Sequence, residues 1–457
     1  MRRLLVAGIV AFFTVQASAE EPALPTGLAP ATEPALPEGL TGPAPKDKPA
    51  VAPRRDEGPR LRGFLEGRGA LWVDRDPRQQ HAALSETRLE IEAEQRVKTV
   101  SFRVAADLLY DPLADGHGID LENGAGALDL REAHATFSPA SFLDVKFGRQ
   151  ILTWGTGDLL FVNDLFPKDW NAFLLGRPEQ YLKAPSDAMK LSVFSEVANL
   201  DLVYVPRFDA DRFIDGRRIS YFNSSQRRIT GRDTVVQEDR PTAWGRDDEW
   251  TARLYRNFGA YEGALYVYDG FWKSPAGSDS VTGRSTFPRL SVFGASLRGP
   301  MAGGIANSEV GYYHSAEDTS GGNPNIRNSE VRVLVGYERE VAPDVTLGLQ
   351  YYLEHMRDFG AYRASLSSGS PARDENRHVL TQRLTWLAMN QTLEWSLFIF
   401  LSPSDRDVYV RPKASYKFDD HVTLEAGANI FAGERKHTFF GQFEDGSNVY
   451  AAVRYGF

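Results

Sequence analysis

From residue 60 to the C-terminus, apolar and polar residues alternate with a period of two rather than the period of a helix. In the segment 345–354, one parity holds Val345, Leu347, Leu349, Tyr351 and Leu353, and the other holds Thr346, Gly348, Gln350, Tyr352 and Glu354. Successive side chains of a β-strand point to opposite faces, so each such segment has one apolar and one polar face. The pattern predicts an all-β fold.

Segment length separates a membrane barrel from a soluble sandwich, which gives the same alternation. The segments run for roughly 10 to 13 residues, whereas a soluble strand has about 5–6 and a tilted membrane strand needs about 9–11. Tight turns are predicted near 97–98, 139–140, 197–198, 258–259, 300–303, 341–344, 389–391 and 418–421. The intervening connections are 73–84, 111–126, 152–187, 207–247, 270–288, 315–327, 357–376, 402–406 and 433–446, and only 402–406 is short. This alternation predicts a transmembrane antiparallel up-and-down β-barrel.

The number of strands follows from the same pattern. Counting segments gives about eighteen strands, an even number that leaves both ends of the barrel on the periplasmic side. A count of sixteen results if the two segments of mixed parity, 127–137 and 305–314, are not barrel strands.

The N-terminus has the features of an exported protein. Arg2 and Arg3 precede the apolar run 4–13, and an Ala-Ser-Ala sequence ends at residue 19. A basic start, an apolar core too short to span a bilayer and a small-residue end predict a signal peptide over residues 1–19. The mature chain is therefore expected in the bacterial outer membrane.

Residues 20–59 form a proline-rich linker between the signal peptide and the predicted barrel, 60–457. Ten of the 26 prolines lie in this stretch. Proline at this density favours an extended, solvated and disordered chain. The two Ala-Leu-Pro repeats at 23–25 and 35–37 leave two readings open, a periplasmic tether or a segment that docks a periplasmic partner.

Composition excludes several classes of protein. The chain has no cysteine, which rules out disulfides, thiolate metal sites and iron–sulfur clusters. A formal charge of −9 argues against a nucleic-acid-binding surface. Motifs of serine hydrolases, zinc proteases and phosphate-binding loops are missing from the sequence. We therefore expect no enzymatic activity, no cofactor and no metal. The stretch 111–122 partly matches a calcium-binding loop, but Leu113 replaces a ligand, which favours a solvated acidic loop.

The C-terminal segment is an amphipathic strand that ends on Phe457. It resembles the last strand of bacterial outer-membrane barrels. That resemblance implies that Phe457 is read by the β-barrel assembly machinery.

A second resemblance lies in the stretch Gly148-Arg149-Gln150, Trp154-Gly155 and Asp158. This stretch resembles the G-R-Q-x3-W-G-x2-D sequence of proteobacterial porin-like outer-membrane β-barrels and, more distantly, of alginate-export barrels. The resemblance implies a passive channel without identifying its solute.

The connection 152–187 is too apolar for a solvated external loop and predicts a segment that folds into the barrel mouth and narrows it. The alternative is a loop that packs on the rim. The residues expected at the constriction are Arg149, Gln150, Trp154, Asp158, Asn163, Asp164 and Asp169. Parity places Arg149 outward, where a charge is costly at the bilayer midplane, so we expect the strand to end or bulge at Gly148 and turn Arg149 inward.

Charged residues occur on the parity that faces the lumen. The predicted lumen charges are Glu90, Glu92, Arg103, Asp107, Arg332, Arg383, Arg411, Lys413, Glu425 and Arg454. Acidic residues predominate on early strands and basic residues on later ones, which predicts a transverse field across a water-filled pore. The alternative is a set of ion pairs that fills the lumen.

Together these features predict a channel for passive passage of small solutes, hydrophobic or anionic. The alternative is a barrel component of an export or electron-transfer assembly, docked through residues 20–59. Expected partners are outer-membrane lipid, the assembly machinery, the solute and lipopolysaccharide. We expect the charged loop 207–247, with Arg217, Arg218, Arg227 and Arg228, to extend into solvent or to contact anionic lipopolysaccharide outside the barrel.

Overall fold

The computed structural model describes residues 58–457. The predicted signal peptide and all but the last two residues of the predicted linker lie outside them. No helix in the described part of the chain is long and apolar enough to cross a membrane.

Eighteen long strands follow the predicted alternation. They are β1 Arg60–Trp72, β2 Leu84–Val97, β3 Val100–Tyr110, β4 Leu128–Ala140, β5 Leu143–Ile151, β6 Pro185–Val193, β7 Asn199–Val205, β8 Glu249–Phe258, β9 Tyr261–Phe271, β10 Arg289–Met301, β11 Gly304–Ser315, β12 Glu330–Ala342, β13 Val345–Met356, β14 Asn376–Ala388, β15 Leu393–Ser402, β16 Asp407–Lys417, β17 Val422–Gly433 and β18 Asn448–Gly456.

These strands form one closed antiparallel sheet. Each pairs with the next along the chain, and β18 returns to β1, with Phe64 opposite Gly456 and Trp72 opposite Asn448. Gly63 and Phe457 extend this seam by exchanging two backbone hydrogen bonds of 3.0 Å. Closure leaves no unpaired strand edge, which is the condition for a sheet to cross a bilayer. The predicted barrel of eighteen strands is confirmed.

The two segments of mixed parity are both barrel strands, so the count of sixteen is excluded. Strand β4 has an irregular register against β3, where Ala105 pairs with Glu132 and Ala106 with Leu130. Arg131 is the extra residue, and a β-bulge of this kind breaks the period of two. Strand β11 pairs regularly with both of its neighbours.

The two faces of the sheet have opposite character. On β13, Leu349 and Tyr351 are exposed while Gln350 and Tyr352 are buried. Exposed apolar residues on the outer face recur around the whole barrel, from Leu65 to Val453. A closed sheet with an apolar exterior and a polar interior is suited to a bilayer.

One end of the barrel carries short turns and the other carries longer connections, as predicted. The short turns include Lys98 and Asp344, which have positive φ angles of 55° and 61°. The longer connections contain helix α1 (Trp170–Leu175), helix α2 (Phe359–Ser365) and 3₁₀ turns at Glu179–Leu182 and Gly441–Gly446. They also contain short strand pairs at Ile119–Asp120 with Ala125–Gly126 and at Tyr221–Asn223 with Arg228–Thr230, and a three-stranded sheet of Glu238–Asp239, Gly277–Ser278 and Ser285–Thr286.

Candidate functional site: a loop inside the barrel

Residues 152–184, which join β5 to β6, fold inside the barrel; we call this segment the lumen loop. Its apolar residues Val162, Phe173 and Leu174 are almost fully buried. They pack with inward-facing aromatic residues of the opposite wall, including Phe400 and Tyr409. Burial of this apolar surface is the reason that the segment leaves the solvent. The predicted inward folding of this segment is confirmed.

The first part of the lumen loop is held by polar side chains of β11 and β13. Asn307 donates to the carbonyl of Thr156 at 2.6 Å. The amide of Gln350 accepts from the backbone N–H of Asp158 and donates to its carbonyl, both at 2.8 Å. Glu309 accepts five further hydrogen bonds, which are described below.

Asp158 lies against the basic wall of the lumen. Its carboxylate pairs with Arg383 of β14, with Nη2 and Oδ1 separated by 2.8 Å. Glu179, from the returning part of the loop, lies 3.3 Å from Arg383 and 3.7 Å from Arg411 of β16. Burial raises the pKa of Glu179, but Arg383, Arg411 and Lys413 outweigh it, so the pKa lies below its ordinary value. Two loop carboxylates therefore face three wall cations.

Helix α1 spans the middle of the lumen loop. Asp169 caps its N-terminus by accepting from the backbone N–H of Ala172 at 2.7 Å. The hydroxyl of Tyr409 donates to the carbonyl of Phe173 within the helix at 2.9 Å, and Arg68 of β1 donates to the carbonyl of Gly176, at the C-cap, at 2.7 Å. The helix is therefore tied to the strands on both sides of the closing seam.

The returning part of the loop contacts the early strands. Arg177 pairs with Glu86 of β2 at 2.7 Å, and the hydroxyl of Tyr181 donates to Glu90 at 2.8 Å. Arg131, the bulged residue of β4, donates to the carbonyls of Gln180 and Lys183. The lumen loop thus contacts β11, β13, β14, β16, β1, β2 and β4, and so it crosses the interior rather than packing on the rim.

Four of the other residues predicted at the constriction pack the loop in place. Gln150 is fully buried and donates to the carbonyl of Ala188, and Trp154 packs edge-on against Phe166. Asp164 pairs with Lys168 at 3.0 Å, and Asn163 bonds to Glu309. The contacts of these four residues are with other residues of the protein interior.

The expectation for Arg149 was wrong. Strand β5 continues through Gly148, which has a φ of +119°, and Arg149 pairs in register with Ala133 and Asp187. Arg149 therefore keeps the outward parity of Phe147. Its charge is compensated by a two-bond ion pair with Asp187, at 2.7 and 2.8 Å, and by a hydrogen bond to the carbonyl of Leu121. An outward-facing charge is costly at the bilayer midplane, but Arg149 is ion-paired and lies close to the loop end of the strand, so it does not need to turn inward.

The predicted lumen charges lie on inward-facing positions, and each has a polar partner. The pairs are Glu90 with Tyr181, Glu92 with Arg103, Arg103 with Glu132, Asp107 with Arg88, Arg332 with Glu330, Arg383 with Asp158, Arg411 with Glu179, Lys413 with Glu394, Glu425 with Arg68 and Arg454 with Glu66. Acidic residues of the early strands are thus largely neutralised by arginines nearby. Most of these charges are therefore in ion pairs, which was the alternative to a transverse field. Basic and acidic residues face each other across a gap mainly where β14 and β16 face the lumen loop.

The connection 206–248 was expected to extend into solvent, but part of it packs on the lumen loop. Asp211 accepts from the backbone N–H of Lys168 at 2.7 Å, and Arg212, which is 6% exposed, pairs with Asp129 at 2.8 Å. Arg218 pairs with Asp111 at 2.5 Å, and Arg232 pairs with Asp115 at 2.7 Å. Of the four arginines expected to face solvent or lipopolysaccharide, Arg217, Arg218 and Arg228 pair with Asp215, Asp111 and Asp233, and Arg227 bonds to Ser368 and Ser370. Contact of this loop with lipopolysaccharide stays a prediction.

The same ion pairs account for the acidic stretch 111–122. Asp111 and Asp115 pair with arginines of the connection 206–248, and Glu122 pairs with Arg207. Across residues 58–457, no group of three or more histidine or acidic side chains has the geometry to hold a metal ion. The acidic groups serve here as contacts between loops.

Several residues of the site were missed by the sequence analysis. Glu179 and Tyr181 lie within the predicted loop, but nothing in their local sequence marks them. Gln350 is on the inward parity and is uncharged. Glu309 lies in the segment 305–314, whose mixed parity did not show which residues face the lumen. Its acidic side chain was the only feature in that segment that could have marked it as a lumen residue.

The fold and its interior define an outer-membrane β-barrel of the porin-like class. Eighteen closed antiparallel strands, an apolar exterior, a charged interior and an inward-folded loop are the features of that class. The protein therefore belongs in the bacterial outer membrane.

Comparison with known proteins agrees with this class. No protein-family model and no curated protein matches the chain. Among crystal structures, the chain is similar to Acinetobacter baumannii OccAB4, with a TM-score of 0.52, 10% identity and coverage of 89% of this chain and 100% of that one. It is also similar to Acinetobacter baumannii OccAB1, with a TM-score of 0.51 and 9% identity, and to Pseudomonas aeruginosa OccK3, with a TM-score of 0.51 and 10% identity. Each of these two matches covers 88% of this chain and 96% of the other. Likeness at this identity is one of fold, so the narrower resemblance of the Gly148–Asp158 stretch stays a prediction.

Proposed function

We propose that the protein is a passive channel for small solutes and that the lumen loop forms its constriction. The observation that carries the proposal is the path of the loop, which leaves β5 and makes polar contacts with β11, β13, β14 and β16 and with β1, β2 and β4. An unobstructed eighteen-stranded barrel has a wide lumen, because strand number sets diameter. A segment that crosses this lumen limits what passes.

The charge of the opening favours small polar solutes, including anions. Arg383, Arg411 and Lys413 form a basic wall that faces Asp158 and Glu179 of the loop. The proposed solute passes between these two sides, where the guanidinium groups of Arg383 and Arg411 balance a negative charge on it. A ring of opposed charges of this kind sets ion selectivity in other channels.

Conductance of the purified protein in planar bilayers tests the proposal. We expect discrete open steps with weak ion selectivity and partial block by small anionic solutes. Absence of conductance from a correctly assembled barrel would show that the lumen is closed and would refute the channel.

Excision of residues 158–176 tests the constriction. We expect the barrel to assemble and the single-channel conductance to rise, because the removed segment contains Asp158 and helix α1. The matched control is an excision of similar character outside the lumen, in the connection 357–375. An assembled variant lacking 158–176 with the conductance of the parent would assign the narrowing to the lumen wall instead.

The charge of Asp158 tests the selectivity. Asp158→Asn removes one loop carboxylate and leaves Arg383 with Glu179 alone, so we expect the reversal potential under a salt gradient to shift towards anions. A shift towards cations would contradict the proposed arrangement.

The proposed partners follow from the same reading. We propose that the C-terminal strand is recognised by the barrel assembly machinery through Phe457 and that residues 20–59 form a periplasmic tether. The outer-membrane lipid contacts the exposed apolar side chains described above.

A further inference from the structure

Glu309 is a buried carboxylate whose partners are all neutral. It lies on the inward face of β11 and is 3% exposed. Among the described residues, no lysine, arginine or histidine nitrogen lies within ion-pair distance of its carboxylate, in contrast to the paired lumen charges described above. Burial of a carboxylate is costly unless several hydrogen bonds replace water.

The lumen loop supplies those hydrogen bonds. Oε1 of Glu309 accepts from the backbone N–H groups of Thr156 and Gly157, the latter at 2.8 Å, and from the Thr156 hydroxyl at 3.0 Å. Oε2 accepts from the backbone N–H of Asn163 at 3.0 Å and from its side-chain amide at 2.8 Å. One carboxylate therefore binds both ends of the segment 156–163 and draws them to β11.

Asp158 lies within the segment that Glu309 binds. Other bonds to this segment come from the neutral amides of Asn307 and Gln350 at residues 156 and 158, from the Tyr313 hydroxyl to the Val162 carbonyl, and from Arg383 to the Asp158 carboxylate. Hydrogen bonds to a charged acceptor are roughly twice as strong as neutral ones. Glu309 accepts five of the hydrogen bonds that attach the segment 156–163 to the wall, on both sides of Asp158, and so keeps Asp158 within reach of Arg383.

We infer that Glu309 is a positioning residue that sets the width and the selectivity of the channel by holding the segment 156–163 against β11. This inference rests on the proposed function. Without the carboxylate, the segment 156–163 loses five hydrogen bonds and moves away from β11. Asp158 then no longer neutralises Arg383.

The experiment compares Glu309→Ala with Glu132→Ala in planar bilayers. Glu132 is an inward-facing carboxylate on β4 that pairs with Arg103 of the wall, so both variants remove one negative charge from the lumen, but only Glu309 bonds to the loop. We expect Glu309→Ala to give at least half of the conductance increase that excision of 158–176 gives, with a shift towards anions. Glu132→Ala should leave the conductance near that of the parent.

A double variant distinguishes action through the loop from a general effect on the barrel. In the background lacking 158–176, Glu309→Ala should cause little further change, because coupled residues are not additive. The cysteine-free chain also permits a rescue: Glu309→Ala combined with Thr156→Cys and Asn307→Cys should regain the parental conductance on oxidation and lose it on reduction. The Asn307 amide nitrogen lies 3.2 Å from the Thr156 hydroxyl, so the two positions are adjacent.

Parental conductance and selectivity in an assembled Glu309→Ala variant would overturn the inference. So would failure of both Glu309→Ala and Glu309→Gln to assemble, since the carboxylate would then be required by the barrel wall. Labelling of Thr156→Cys by a water-soluble maleimide gives a readout that needs no conduction. Faster labelling in the Glu309→Ala background supports the positioning role even if the parent protein forms no open channel.

Discussion

At the scale of the residue, Asp209 differs from the paired charges of the lumen. It is 9% exposed, and Oδ2 accepts from the backbone N–H of Asp187 at 3.0 Å. Burial, followed by the carboxylates of Glu249 and Asp187, raises the pKa of Asp209, and Lys273 offsets part of this rise, so that the pKa lies at about 7. Asp209 belongs to the connection that packs on the lumen loop, so its protonation affects how firmly that connection is held.

We predict that this connection loosens as the pH rises. A folded-state pKa of about 7, above the ordinary 3.8, means that the folded state binds the extra proton between these values. Stability therefore falls as the pH rises through this window and stays lower above it. Asp209→Asn removes the titration. Trypsin should cut the connection 206–248 more slowly in Asp209→Asn than in the parent at pH 8.5.

Below the ordinary pKa of 3.8 the carboxyl is protonated whether the connection is folded or opened, so pepsin at pH 3.5 should cut the two proteins at similar rates. Comparison of variant with parent at each pH cancels the pH dependence of the protease. Equal cutting at both values would contradict the raised pKa.

At the scale of the element, β5 depends on the backbone at Gly148. Its φ of +119° is one that L residues rarely adopt, and a Cβ added there would lie 2.3 Å from the carbonyl oxygen of Ala133. The strand keeps its register through this point and carries Arg149 to its partner Asp187. Gly148 in the resembling stretch thus has a physical role in the strand, separate from any role in transport.

We predict that Gly148→Ala destabilises the barrel by roughly 1–3 kcal/mol, the usual cost of a strained backbone position. The temperature at which the folded band is lost in heat-modifiability gels measures the effect. The matched control is Gly67→Ala on β1, where an added Cβ meets no atom within 4 Å. Equal melting of the two variants would count against strain at Gly148.

At the scale of the whole molecule, the alternation of connections predicts which end faces the cell exterior. Long connections lie on the external side of outer-membrane barrels and short turns on the periplasmic side. Tags inserted in 218–240 or 366–372 should be accessible to antibody on intact cells, whereas tags in the turns at 141–142 or 343–344 should need permeabilised cells. Labelling of the short turns on intact cells would reverse the orientation.

The closing seam predicts a second whole-molecule effect. Phe457 exchanges two backbone hydrogen bonds with Gly63, and its ring lies on the exposed face. Deletion of Phe457 should reduce the yield of heat-modifiable barrel in the outer membrane far more than Tyr455→Ala, which removes an exposed aromatic residue and keeps the ladder. Unchanged yield on deletion would show that neither the seam nor the assembly signal depends on this residue.

The period of two determined the strands and their inward and outward faces, because side-chain direction in a strand is a local property of the backbone. With the turns it favoured eighteen strands over sixteen, and the pairing of β4 and β11 with their neighbours decided the count. The apolar content of 152–187 likewise sufficed to place that segment inside. Tertiary structure alone decided the partners: Arg149 with Asp187, Arg212 with Asp129, and Glu309 with the segment 156–163. Each of these contacts joins residues of different strands or connections, which meet only when the strands have paired and the connections have packed. No local pattern records which of many inward charges will meet, because that depends on the register of eighteen strands and on the path of a loop between them.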